Sequence, residues 1–168
     1  MPWIERLFVA ARGDRNDTGL IFERMQQVAT IDAFARDAGT LQVGAQTLQQ
    51  LSAFAAERYL ASRNFTVLHL LTSCHARRLL LPHAGDAHRA LRWYTVAFGA
   101  GLVASGADPL TPPADVEPLP WATLTQRAVA ADDEHVIKLV YTCRGQAEAY
   151  ADDLYRRVAT VAVAGQDE

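Results

Sequence analysis

The stretch FTVLHLLTSCHARRLLLP, residues 65–82, decides the fold. Its apolar residues fall on nearly every side of a 3.6-residue period, it is longer than an ordinary strand, and Pro82 stops it. A helix that is apolar all round belongs inside a protein, so residues 65–81 are read as the buried central helix of an all-α chain. On its N-terminal side, residues 41–61 carry Leu48, Leu51, Phe54, Ala55 and Tyr59 as one inward stripe. A helix from about Thr18 to Phe34 uses Leu20, Ile21, Met25 and Val28 in the same way, and Gly39 and Thr40 separate the two. Residues 3–11 form a short first helix closed by Gly13. On the C-terminal side, Asp86 starts a helix through Leu91, Trp93, Tyr94 and Phe98 to about Ala104, with Gly106 as its stop. Residues 107–120 hold five of the seven prolines and form a loop. Trp121 opens the next helix, Asp132 or Asp133 caps the one from Glu134 to Tyr150, and a last helix begins near Asp152. Few segments alternate with period two, and no repeat or low-complexity linker divides the chain. The expectation is one helical domain over residues 1–168, of about eight helices with strand content near nil.

Composition narrows the partners. The net charge of −3 and pI near 5.9 offer no basic face for nucleic acid. No apolar run reaches the roughly 18–20 residues of a membrane span, and Met1 to Phe8 lack a signal-peptide core. Cys74 and Cys143 lie in apolar helical runs and read as reduced core thiols of a cytoplasmic protein. Gly99 and Gly101 lie within a helix and serve packing rather than phosphate binding, and no Cys-x-x-Cys pair or nucleophile elbow is present.

Basic residues and histidines carry what chemistry the sequence offers. Of 16 basic residues 15 are arginine, and the one lysine, Lys138, stands in DDEHVIKLVYTC, residues 132–143, among Val136, Ile137, Leu139 and Val140. A buried ammonium must pair, reach out to solvent or lose its proton. Lys138 is therefore either a snorkelling or Glu134-paired lysine, or a functional amine that forms a Schiff base or a carbamate with carbon dioxide, and the expectation is a largely buried amine with His69 as the first candidate among its polar neighbours. His135 lies one turn before it on the same face, and Thr142 continues that stripe. His69 and His75 share the central helix but sit about 120° apart around it, so they are not expected to hold one ion together. Imidazoles with an anionic oxygen suit non-haem iron, and zinc or manganese nearly as well. His83 and His88, around Pro82 and Gly85, read as solvated junction residues. Arg77, Arg78 and Arg92 are weaker candidates for clamping an acidic or phenolic substrate.

Residues 65–82, LRWYTVAFGAGLVASGADPL at 91–110, DDEHVIKLVYTC at 132–143 and DDLYRR at 152–157 resemble the C-terminal part of the questin oxidase-like family. The resemblance spans roughly residues 65–160, with DEHVIK its most specific element. It implies a helical oxygenase that opens or oxidises an aromatic polyketide-like ring, in a Baeyer–Villiger-like or ring-cleaving reaction. It further implies non-haem iron held by histidines and a carboxylated lysine, and NADPH enters through the resemblance alone. Carried onto this chain, the lysine role falls on Lys138 and a histidine role on His69, while His75 and His135 are ligands or their supports. Family members are longer and supply further histidines from an N-terminal part, whereas residues 1–64 here contain none. The site is therefore expected to need a second copy or a histidine-bearing partner chain. The competing readings are a non-catalytic helical subunit packed on a partner and a metal-free Schiff-base enzyme.

Overall fold

The computed structural model describes residues 2–11 and 18–164, and among these it holds nine α-helices and no strand. They are α1 (Pro2–Ala11), α2 (Ile21–Ala29), α3 (Asp32–Gly39), α4 (Thr47–Ser62), α5 (Phe65–Leu80), α6 (Ala87–Ser105), α7 (Trp121–Ala130), α8 (Glu134–Tyr150) and α9 (Leu154–Ala164), with one 3-10 turn at Leu81–His83. Helix α5 packs against α4, α6 and α8; α9 closes the side between α4 and α8; α1 and α2 cover α6. The main core joins Leu51, Leu71, Cys74, Leu139, Cys143 and Val158, and a second cluster of Leu7, Val28, Phe34 and Val103 lies under α1 to α3. Both cysteines are buried and free. No helix among the described residues is long and apolar enough to cross a membrane.

Local chemistry sets the boundaries. Arg63 adopts a left-handed conformation (φ 49°) and its amide returns to Tyr59 O at 2.8 Å, ending α4. Asn64 then caps α5 by accepting from the amides of Thr66 (2.9 Å) and Val67 (3.2 Å), so two residues turn the chain back on itself. Asp86 Oδ1 caps α6 through the Arg89 amide, Gly106 (φ 71°) ends it, and Asp133, not Asp132, caps α8. The proline-rich loop is tied to the bundle by arginine. Buried Arg58 donates to the carbonyls of Asp108 and Thr111, and Arg157 donates to Ala114 O and Asp115 Oδ1.

Three details differ from the sequence reading. The helix expected over residues 18–34 is two, because Ile31 is extended and Thr30 Oγ1 donates to Gln27 O at 2.7 Å, an alternative to continuing the helix. The helix expected from Leu41 starts at Thr47, whose hydroxyl accepts the Gly44 amide at 2.8 Å in a turn. The last turns of α5 are not enclosed: Leu79 and Leu80 are exposed.

A polar chain crosses the core. Ser52 Oγ on α4 accepts Gln146 Nε2 from α8 at 2.6 Å and the Tyr155 hydroxyl from α9 at 2.9 Å, and Gln146 Oε1 accepts Arg78 Nε from α5 at 2.8 Å. Ser52 and Gln146 are fully enclosed, and burial pushes the Tyr155 phenol well above its ordinary value, so it stays a donor. Ser52→Ala would leave two buried donors without their acceptor. It is expected to destabilise the fold by about 2–4 kcal/mol in urea unfolding; a loss under about 0.5 kcal/mol would show that the chain does not depend on this hub.

Candidate functional site: a histidine pair between two helices

The packing of α5 on α8 brings His69 and His135 together. Their ring centroids are 5.6 Å apart with planes nearly perpendicular. Phe65 sits against both, at 4.6 Å from His69 and 4.9 Å from His135. His135 occupies the first turn of α8, and the cap that starts the helix also orients it. Asp133 Oδ1 accepts the His135 amide at 2.7 Å and lies 3.6 Å from its Nδ1. The amide bond from His135 also holds the Asp133 carboxyl below its usual range. His69 has its pKa lowered, first by burial and then by the charge of Lys138 and by His135. Its neutral form, the one that binds metals, is therefore favoured.

Lys138 belongs to this cluster, but not as the sequence suggested. It is exposed, not buried, and among the described residues it makes no ion pair, the one with Glu134 included. Val136, Leu139 and Val140 turn inward while Ile137 and Lys138 face solvent. Burial thus gives no reason for an uncharged amine, although the lysine is near enough to act on His69.

His75 stands apart. It is buried against Tyr141 (5.5 Å between centroids), its Nδ1 lies 3.4 Å from Arg78, and its enclosed Nε2 has no hydrogen-bond partner among the described residues. Gly145 lets the ring in, since a Cβ there would sit 2.6 Å from His75 Cε1. His83 and His88 are exposed at the helix junction, as their surroundings predict. Arg92 donates to the carbonyls of Ala38 and Gly39 at the end of α3, a structural role, and Arg77 lies over the Tyr94 ring.

A cavity of about 260 Å³ opens on the other side of His69, between α2, α5 and α6. Ile21, Met25, Leu70 and Phe98 make it apolar, while Ser73 and Tyr94 supply hydroxyls. The Tyr94 hydroxyl donates to Cys74 Sγ at 3.1 Å and shares a 2.8 Å hydrogen bond with Ser73 Oγ, which also lies 2.7 Å from Leu70 O. Burial raises the Tyr94 phenol far above its usual value and the Cys74 thiol to about 12, so both keep their protons. Sequence spacing singled out neither Ser73 nor Tyr94; the signal available was Ser73 one turn after His69 on α5, which Tyr94 joins only once α5 and α6 are paired.

Two imidazoles on one ion, with bonds of about 2.0–2.1 Å and an angle of roughly 90–110°, place their ring centroids roughly 4.5–5.2 Å apart, so at 5.6 Å this pair stands slightly wider than a loaded site. Two imidazoles would be at most part of a metal shell. Among the described residues no group of three or more His, Cys, Asp or Glu side chains is placed to hold an ion. Comparison with curated proteins gave no match, nor did comparison with solved structures. The family model described as questin oxidase-like matches residues 18–143, reaching further toward the N-terminus than the motifs that suggest it and stopping short of DDLYRR. Its description points to oxidoreductase chemistry on an aromatic substrate. With the match covering most of its length, the chain belongs to the questin oxidase-like family.

Proposed function

We propose that this chain is a metal-dependent oxygenase of an aromatic, polyketide-like substrate, with His69 and His135 as two ligands of a non-haem iron. The observation that carries the reading is the 5.6 Å approach of these imidazoles, one of them already biased to the neutral state, in a chain of this family. The iron, when bound, would supply dioxygen activation. The chain's own residues have separate tasks. Asp133 fixes the His135 ring, Phe65 keeps both rings from rotating, and the cavity beside His69 takes a flat apolar ring and excludes water with Met25, Leu70 and Phe98. Tyr94, held protonated, keeps the cavity wall neutral.

Lys138 is the third candidate ligand, as a carbamate formed with carbon dioxide, and a second copy of the chain is the source of the rest. Exposed Phe65, Ile137 and Tyr141 frame this face and suit burial against such a copy. The same face favours the competing reading, a non-catalytic subunit seated on a partner; that reading requires no iron binding at all.

Anaerobic titration calorimetry with Fe²⁺ tests the proposal. His69→Ala and His135→Ala are each expected to weaken binding by more than the roughly 10–100-fold typical of residues that merely support a ligand. His75→Ala is expected to leave affinity within a few-fold. Equal affinity in all three, or none in the parent chain, contradicts the proposal. Lys138 has its own sign. A plain ammonium repels the cation, so Lys138→Ala would tighten binding, whereas loss of a carbamate would weaken it and Lys138→Glu would restore part.

A pH dependence follows as well. The folded pKa of His69 lies below the ordinary 6.5, so between the two values the unfolded chain binds more protons and stability falls as pH drops through that window. His69→Gln is expected to flatten part of the decline in urea midpoint between pH 7.5 and 5.5; an unchanged slope contradicts the assignment.

A further inference from the structure

A cleft of about 580 Å³ lies at the opposite end of α5 from the histidine pair and plays no part in the reading above. It runs between the start of α4, the end of α5 and the start of α6, and its floor is apolar: Leu48, Leu81, Pro82 and Leu91. Its volume falls in the range of about 300–1,000 Å³ usual for small-molecule sites. Its charge is one-sided. Among the described residues that line it none is acidic, and Arg78 brings a positive charge.

Arg78 is the decisive group. Its guanidinium is fixed by Nε to Gln146 Oε1 at 2.8 Å and by Nη2 to Gly145 O at 3.1 Å, both neutral acceptors. Among the described residues no carboxylate pairs with it. A positioned guanidinium without a counter-ion at the wall of an apolar cleft is the donor that a carboxylate recognises. The helix starts add to this field. No side chain caps α4, and the α6 cap engages the Arg89 amide, so the positive ends of both helix dipoles lie near the cleft.

We propose that this cleft binds an apolar monocarboxylate, its carboxylate on Arg78 and its hydrocarbon body on Leu48, Leu81 and Leu91. Arg78 is nine residues from His69 on α5, about 13 Å along the helix axis, so the site is separate from the histidine pair and does not depend on a metal there.

Titration calorimetry of the full chain with 2-naphthoate, and with its neutral counterpart 2-naphthalenemethanol, tests this. Naphthoate is expected to bind at least tenfold more tightly than the alcohol, and to weaken as salt is raised. Arg78→Gln is expected to remove that preference while leaving alcohol binding within a few-fold. Because Arg78 also supports the buried polar chain, Ala45→Trp serves as a second variant. Ala45 is an exposed wall residue, and the indole would fill the cleft and abolish both interactions without touching the core. His69→Ala is expected to bind naphthoate as the parent does. Equal affinity for the acid and the alcohol, naphthoate binding unaffected by both Arg78→Gln and Ala45→Trp, or loss of binding in His69→Ala would each overturn the proposal.

Discussion

Everything in this molecule is arranged around the burial of α5. Val67, Leu71 and Cys74 are almost wholly withdrawn from water, facing α4, α6 and α8. That burial is worth on the order of 1.5–3 kcal/mol for each large side chain, far more than any surface ion pair present. Because α5 is held on several sides, its polar residues must face seams between helices or emerge at its ends. His69 emerges at the seam with α8 and at the cavity beside α6, His75 is enclosed against Gly145, and Arg78 leaves through the C-terminal end into a cleft. One packing constraint therefore sets the position of each candidate functional group on this helix.

The polar chain Arg78–Gln146–Ser52–Tyr155 is the second constraint. It links α5, α8, α4 and α9 through neutral acceptors, so the guanidinium is positioned without being neutralised. A carboxylate in that place would have formed a buried ion pair and removed the charge from the cleft. The structure thus keeps a cation available at one end of α5 and a pair of imidazoles near the other, with the neutral form of His69 favoured.

Much of the architecture was legible because capping and breaking residues have local physics. Asp86, Gly106 and Asp133 act where their chemistry says they should, and the prolines of 107–120 keep that segment free of helix. The breaks at Ile31 and before Thr47 were not legible, since they depend on hydroxyl-to-backbone bonds that compete with helix by small margins. Lys138 was misjudged for a clear reason. Its sequence neighbours Ile137 and Leu139 are apolar, yet residues adjacent in sequence do not share a helix face; the inward set is Val136, Leu139, Val140 and Cys143. By contrast, the doubt that His69 and His75 share an ion follows from helical geometry, and the structure separates them accordingly. The meeting of His69 with His135 could not be read from spacing, because it requires the register of α5 against α8.

The central claim is that two imidazoles from this chain can share one divalent ion. Electron spin-echo envelope modulation of the chain loaded with substoichiometric Cu²⁺ counts the bound imidazoles directly. The account predicts combination lines from two remote imidazole nitrogens, reduced to a one-imidazole pattern in either His69→Ala or His135→Ala. A one-imidazole or nitrogen-free pattern in the parent chain, or two imidazoles that survive both substitutions, would contradict it.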